Sequence, residues 1–194
     1  METQAFPLDP WEAKMRHRDR EIRDRELISA ILDMCDVINI AFFDEEYPDN
    51  LPVNFGYECE DSLIFYCHHA AEGYKNSLIE NHPKVCVVTH KFMNKIYNSY
   101  DNSGHDYRSV MAFGEISFIP SNSVEYEKAW QCLCACNGRS VPDVIYDDNF
   151  KKLMKMSKIV CKHENVIGKA QRKITSIEQI PLKSDARPHA ELLK

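Results

Sequence analysis

The segment His68-His69-Ala70-Ala71-Glu72-Gly73-Tyr74-Lys75 concentrates the residue types that could do chemistry. Small residues lead into a helix whose first turn carries Gly73 and Lys75. A helix start offers unpaired N–H groups and a partial positive charge. With an ammonium beside it, such a start is a seat for phosphate. The plain alternative is a solvated Lys75 and a Gly73 that serves only the turn. His68 and His69, with Cys67, Cys86 or His90, suggest a metal. However, adjacent strand residues point to opposite faces, and zinc needs three or four converging ligands, so no metal site is expected. Cys132, Cys134 and Cys136 fall on one helix, where the outer two share a face and the middle one does not; they read as packing thiols. No Gly-x-Ser-x-Gly motif is present, and the basic run Lys169, Arg172, Lys173 is too short to imply nucleic acid.

Several elements must position these residues. Asp24 is suited to cap a helix in which Leu27, Ile28, Ile31, Leu32 and Cys35 recur at helical spacing. Val37–Phe43, Leu51–Tyr57 and Leu63–His68 then read as three strands joined by polar turns, an antiparallel meander. A helix continues to about Asn81, stopped by His82-Pro83. Lys84–His90 is a fourth strand, and Phe92–Asp106 a polar loop. Tyr107–Ile119 is a long fifth strand, with a bend or bulge expected at Gly114. Asn122 and Glu125 have capping-box spacing and open a helix to about Asn137-Gly138. A short helical stretch covers Phe150–Met156. Ser157–Asn165 is a sixth strand, whose continuation Gly168 interrupts. Six strands with peripheral helices predict a mainly β fold, an antiparallel barrel whose closure removes exposed edges, with a curved open sheet as the alternative the pattern does not separate from it.

The 194 residues suit one domain with extensions: a charged segment 1–26, a domain over 27–180 and a tail over 181–194. A net charge of −6 argues against a nucleic-acid partner. No apolar run approaches the roughly 20 residues that cross a bilayer, and Met1-Glu2-Thr3-Gln4 does not begin a secretory signal, so a cytoplasmic protein with no membrane partner is expected. The eight cysteines read as reduced thiols, several of them inside apolar runs.

Four stretches in order resemble one family: Met15-Arg16-His17-Arg18-Asp19-Arg20-Glu21-Ile22, Leu51-Pro52-Val53-Asn54-Phe55-Gly56-Tyr57, His68 to Lys75, and Tyr107-Arg108-Ser109-Val110-Met111-Ala112-Phe113-Gly114. A weaker fifth is Val166-Ile167-Gly168-Lys169-Ala170. Over about residues 15–173 the chain resembles the pyridoxamine-phosphate-oxidase-like flavoproteins of split β-barrel fold, and within them the nitroimidazole-resistance (Nim-type) branch. The resemblance implies a homodimer binding FMN in clefts at the subunit interface. It places Leu51, Pro52, Val53, Asn54 and Phe55 along the isoalloxazine ring, largely through backbone. Cys67, His68, Gly73 and Lys75 would lie near the ribityl-phosphate, with Lys75 pairing the phosphate. Tyr107, Arg108 and Ser109 would lie on a strand that also contacts the flavin.

The same resemblance implies an FMN-dependent oxidoreductase that passes electrons to a small acceptor, such as a nitro-aromatic. His68 is the candidate catalytic residue, orienting substrate or a proton. The alternative is a flavin or haem binding module without turnover, with His189 as an axial haem ligand. A thiol-based redox sensor is a third reading. True pyridoxamine phosphate oxidases grip the substrate phosphate with a C-terminal tryptophan and arginine. Here the last tryptophan is Trp130, and Arg187 is the one arginine after Ile174, so that reaction is not expected. Tyr74 also stands where relatives often carry a basic residue.

Overall fold

The computed structural model describes residues 17–43, 46–96, 104–139, 148–171 and 173–180. Met15, Arg16, Arg187, His189 and the tail 181–194 lie outside them. A 3-10 turn at Arg18–Arg20 and a two-residue strand β1 (Glu21–Ile22) precede helix α1 (Arg25–Asp33). Thus part of the segment expected to be an extension joins the fold, and Ile22 is buried. Asp24 caps α1 as expected, its carboxylate accepting from the Leu27 N–H at 3.0 Å.

Strands β2 (Ile38–Phe42), β3 (Asp49–Val53), β4 (Gly56–Cys59) and β5 (Leu63–Ala70) lead to helix α2 (Tyr74–Asn81). Strands β6 (Lys84–Ile96) and β7 (Gly104–Ile119) precede helix α3 (Val124–Cys136). Helix α4 (Asp148–Leu153), β8 (Met154–Cys161) and β9 (Val166–Ala170) complete the order. The main path of the antiparallel sheet runs β3-β2-β6-β7-β8-β5-β4, and β9 pairs with β1 and β7.

Several expectations are corrected. Leu51–Tyr57 is two strands rather than one, because the chain leaves the sheet at Asn54 and Phe55 and re-enters it at the opposite edge. The meander therefore does not form: β2 pairs β3 and β4 pairs β5, but β3 and β4 are not neighbours. Much of the supposed polar loop is strand, since β6 runs to Ile96 and β7 starts at Gly104. The register shift lies between Phe92 and Asn94, not at Gly114. Ser123, not Asn122, caps α3, its hydroxyl accepting from the Tyr126 N–H. The sheet begins again at Met154, inside the segment read as helical, and β8 ends at Cys161, before the 3-10 turn His163–Asn165. Gly168 sits within β9 and does not break it. A Cβ there would meet Ile22 Cβ at 3.0 Å, so the glycine admits the β1 partner.

The two-residue link explains the roll of the sheet. Laid flat, β3 and β4 would stand about 29 Å apart across six strand spacings. The backbone from Val53 to Gly56 can span at most about 11 Å. The sheet must curl to bring its two ends near each other, and the mainly β, antiparallel fold expected holds nine strands instead of six. β7 changes partner along its length: Arg108–Ala112 pair with β9 and Glu115–Ile119 with β8.

Two cores result. Leu27, Ile28, Ile31 and Leu32 of α1 belong with Ile38, Ile40, Phe42, Val85, Val87, Phe65 and Ile159 to the main core. A second cluster joins Tyr66, Ile119 and Met156 to Tyr126, Ala129, Trp130 and Leu133 of α3. Full burial of side chains this large contributes about 1.5–3 kcal/mol each. That is ample to hold a helix of 13 residues on the sheet.

Candidate functional site

Strand β5 divides its side chains by parity. Leu63, Phe65 and Cys67 enter the main core, and Tyr66 lies in the cluster under α3. His68 shares the outer face with Tyr66; His69 shares the inner face with Cys67. The histidine pair is thus split, as strand geometry requires.

On the outer face, His68 meets Trp130 edge-on with ring centroids 6.0 Å apart, and Trp130 meets Phe150 at 4.9 Å. Helix α3 is held there by its ends and its middle. Lys158 Nζ donates to Glu125 Oε1 at 2.6 Å, and Lys128 pairs with Glu58 at 2.9 Å. The Cys132 thiol donates to the Tyr57 carbonyl, and Asn137 Nδ2 to the Phe55 carbonyl. Gly56 lets the helix backbone approach β4. Between them lies a cavity of about 440 Å³ lined by Asn54, His68, Trp130, Leu133, Cys134, Asn137, Arg139 and Phe150. His68 Nδ1 is buried with no hydrogen-bond partner among the described residues. Burial first, then the charges of Lys75 and Arg139, hold its pKa below the usual histidine value. His68 is therefore neutral near neutral pH, a ring that accepts or donates at the cavity wall.

Beyond the end of β5, Gly73 opens α2 with φ 129° and no side-chain cap. The φ is what requires glycine, since a Cβ would meet nothing within 4 Å. No acidic residue occupies the first turn, and the half-buried Lys75 does. Burial lowers the Lys75 pKa, opposed by Cys67 and Asp49. Cys67 is fully enclosed, and burial pushes its thiol up to about 12. His69 is 6% exposed; burial, with Lys75 next, pushes it down to about 4. His69 Nε2 and Ser157 Oγ are buried without hydrogen-bond partners among the described residues.

The other expected residues are dispersed. Leu51 and Val53 are half-buried on β3 against the main core, and Pro52 is exposed. Asn54 reaches the cavity and donates to the Asp36 carbonyl at 2.9 Å. The Phe55 side chain is committed to the core beside Phe65, leaving only backbone available. Arg108 points inward, buried, paired with Asp106 and donating to the Tyr107 carbonyl. Tyr107 and Ser109 occupy the other face of β7. Ser109 is six residues before Glu115, where β7 first meets β8, so about 20 Å of strand separates it from that junction. One chain does not bring this trio to His68.

Sequence reasoning missed Trp130, Leu133, Asn137, Arg139 and Phe150 as cavity residues, and Ser157 as the residue paired with Cys67. Trp130 and Leu133 were legible only as a core stripe on α3, and nothing local marked Arg139. Among the described residues no group of three His, Cys, Asp or Glu is placed to hold a metal, and no helix is long and apolar enough to cross a membrane.

The sequence profile of the family described as pyridoxamine 5'-phosphate oxidase matches residues 24–143. No curated protein matches the chain in sequence. Among solved structures, a candidate 5-nitroimidazole antibiotic resistance protein of Bacteroides thetaiotaomicron is similar at TM-score 0.65 and 24% identity, over 77% of this chain and 86% of that one. An FAD and heme binding protein of Mycobacterium smegmatis is similar at TM-score 0.65 and 16% identity, over 83% and 78%. A flavocytochrome of Azotobacter vinelandii is similar at 0.64 and 15%, over 87% and 78%. At these identities the structures establish the shared fold.

Proposed function

Because the chain belongs to the pyridoxamine 5'-phosphate oxidase family, we propose that it is an FMN-binding oxidoreductase of Nim type, acting as a homodimer on a small, nitro-aromatic class of acceptor. One observation carries the reading. A single strand, β5, presents a neutral, unpaired His68 to a part-aromatic cavity, and the adjoining uncapped helix carries Lys75 in its first turn, which supports a phosphate seat there. The cavity residues fit a flat ligand, with Trp130 and Phe150 for a ring and Asn54 and Asn137 for its polar edge; Lys75, outside the cavity lining, lies in the first turn of α2.

A bound flavin supplies the electron transfer itself. The chain's residues position the ring, exclude water and manage a proton. His68 Nδ1 is the atom to hold or release that proton, because burial and two cations keep the ring neutral and available.

The homodimer accounts for the dispersal of the site. Tyr107 and Ser109 lie too far along β7 to reach His68 within one chain, so a second subunit would deliver them. The outward faces of β2, β6 and β7 carry half-buried Ala41, Val88 and Met111, with Phe92 50% exposed, an apolar surface suited to self-association.

The test is the visible spectrum of the purified protein with mass analysis of what heat releases, followed by anaerobic stopped-flow. The expected result is a yellow protein that releases FMN, whose reduced form a nitro-aromatic reoxidises faster than it reoxidises free reduced FMN. A colourless protein that ignores added FMN would overturn the reading. A Soret band would replace it with a haem module, and reoxidation no faster than free FMN with a flavin-binding module.

A further inference from the structure

We propose that the His68 cavity takes a small aromatic acid, with the ring against Trp130 and Phe150 and the carboxylate on Arg139. This rests on the reading of that cavity as the seat of a flat ligand and adds the ligand's charge. The site lies under α3, and Lys75 is not among its lining residues.

The sign of the cavity carries the argument. None of its eight lining residues is acidic, and Arg139 alone bears a fixed charge, in a chain of net charge −6. Among the described residues Arg139 has no ion pair and no side-chain hydrogen bond. Its N–H donors are thus not spent on the protein. The neighbouring amides are more fully used. Asn137 Nδ2 donates to the Phe55 and Leu133 carbonyls at 3.1 and 2.8 Å, and Asn54 Nδ2 to the Asp36 carbonyl at 2.9 Å. A planar fork of donors with no protein partner matches a carboxylate.

Placement gives the ligand its shape. Trp130, Leu133 and Cys134 are buried, whereas Asn54, Asn137 and Arg139 are exposed, so the cavity has an apolar interior and a polar, cationic mouth. The end of α3 holds that mouth. Gly138 leaves the helix at φ 67°, its N–H donates to the Ala135 carbonyl at 3.0 Å, and the Arg139 N–H donates to the Cys134 carbonyl at 2.9 Å. This double closure folds Arg139 back over the last turn, whose Cys134 lines the cavity. Inside, the Trp130 and Phe150 rings cross at 63° with centroids 4.9 Å apart, and their electron-rich faces suit an electron-poor nitro-aromatic ring. An apolar body with one anionic end fits this gradient. A neutral ring leaves the guanidinium without a partner, and an aliphatic acid leaves the aromatic walls unused.

The test is calorimetry on the oxidised, FMN-loaded protein, which binds an acceptor without reducing it. The probes are 4-nitrobenzoate and its neutral counterpart of the same shape, 4-nitrobenzamide. At low salt 4-nitrobenzoate should bind about tenfold tighter. The preference should shrink as salt rises, because the mouth is open to solvent. Arg139→Gln should abolish the preference, and Arg139→Lys should retain part of it. Phe150→Leu should weaken both probes without changing their ratio. Equal binding of the two probes, no binding of either, a preference that survives in Arg139→Gln, or a Phe150→Leu protein that binds both as before overturns the proposal. If FMN still loads in that case, the flavin reading stands. If the protein takes up no FMN, yet the flavin-free protein shows the preference and loses it in Arg139→Gln, the flavin reading falls and the carboxylate site stands.

Discussion

Gly56 and Leu133 meet backbone to backbone: a Cβ built on Gly56 would stand 2.6 Å from the Leu133 nitrogen and 2.7 Å from the Cys132 carbonyl carbon. No flexible side chain is available to give way. The approach seats α3 on β4 and brings Trp130 and Leu133 to the wall of the His68 cavity.

Gly56→Ala should therefore destabilise the fold by about 1–3 kcal/mol, as overpacking does, and weaken FMN binding as α3 is pushed outward. Urea unfolding and a flavin titration check both effects. A variant of unchanged stability would mean that the contact is looser than described.

Lys75→Ala should weaken FMN binding about ten- to a hundredfold, from the loss of about 1.5–3 kcal/mol of charge-assisted hydrogen bonding. Stability should change little, because Lys75 is only half-buried. Riboflavin, which lacks the phosphate, should bind both proteins alike. An unchanged FMN titration would reject the assignment.

In the folded protein without ligand, His69 titrates near 4, below the ordinary histidine value of about 6.5. Between those values the unfolded chain binds more protons than the folded one, so stability rises with pH across that window. The contribution is fully present above about pH 6.5 and is lost as pH falls toward 4. Chemical denaturation across this range should show the slope, and His69→Asn should reduce it.

Cys67 and Cys161 are buried, with thiols pushed up to about 12 by burial, so neither offers thiolate near neutral pH. A disulfide reagent applied to the native protein should leave both unmodified, and half-buried Cys35 and Cys59 should react ahead of them. In denaturant all eight thiols should react. Rapid native modification of Cys67, mapped by mass spectrometry, would contradict its burial.

If subunits share the flavin, dimerisation and binding stabilise each other. Sedimentation at falling protein concentration should show FMN shifting the equilibrium toward dimer. A monomer that retains flavin at full occupancy would refute the shared site.

Elements governed by neighbouring residues were legible in the sequence. Asp24 capping α1, His82-Pro83 ending α2 and the alternation along β5 that separates His68 from His69 each depend on local geometry, so the sequence records them. The helix start at Gly73 was visible for the same reason, since it and the first-turn Lys75 are sequence neighbours. Pairing is a different kind of decision. Leu51–Tyr57 alternates like one strand, yet the chain crosses from one sheet edge to the other at Asn54 and Phe55, a crossing that the curl of the whole sheet makes short. The polar run after Phe92 forms strand because a partner strand pairs its backbone. Arg139 and Trp130 reach His68, and Ser157 reaches the neighbourhood of His69, only after β8 is laid beside β5 and α3 is docked on Gly56. Local residue patterns determine which face of an element is apolar; which distant faces meet is set by the lowest free energy of the whole packed chain.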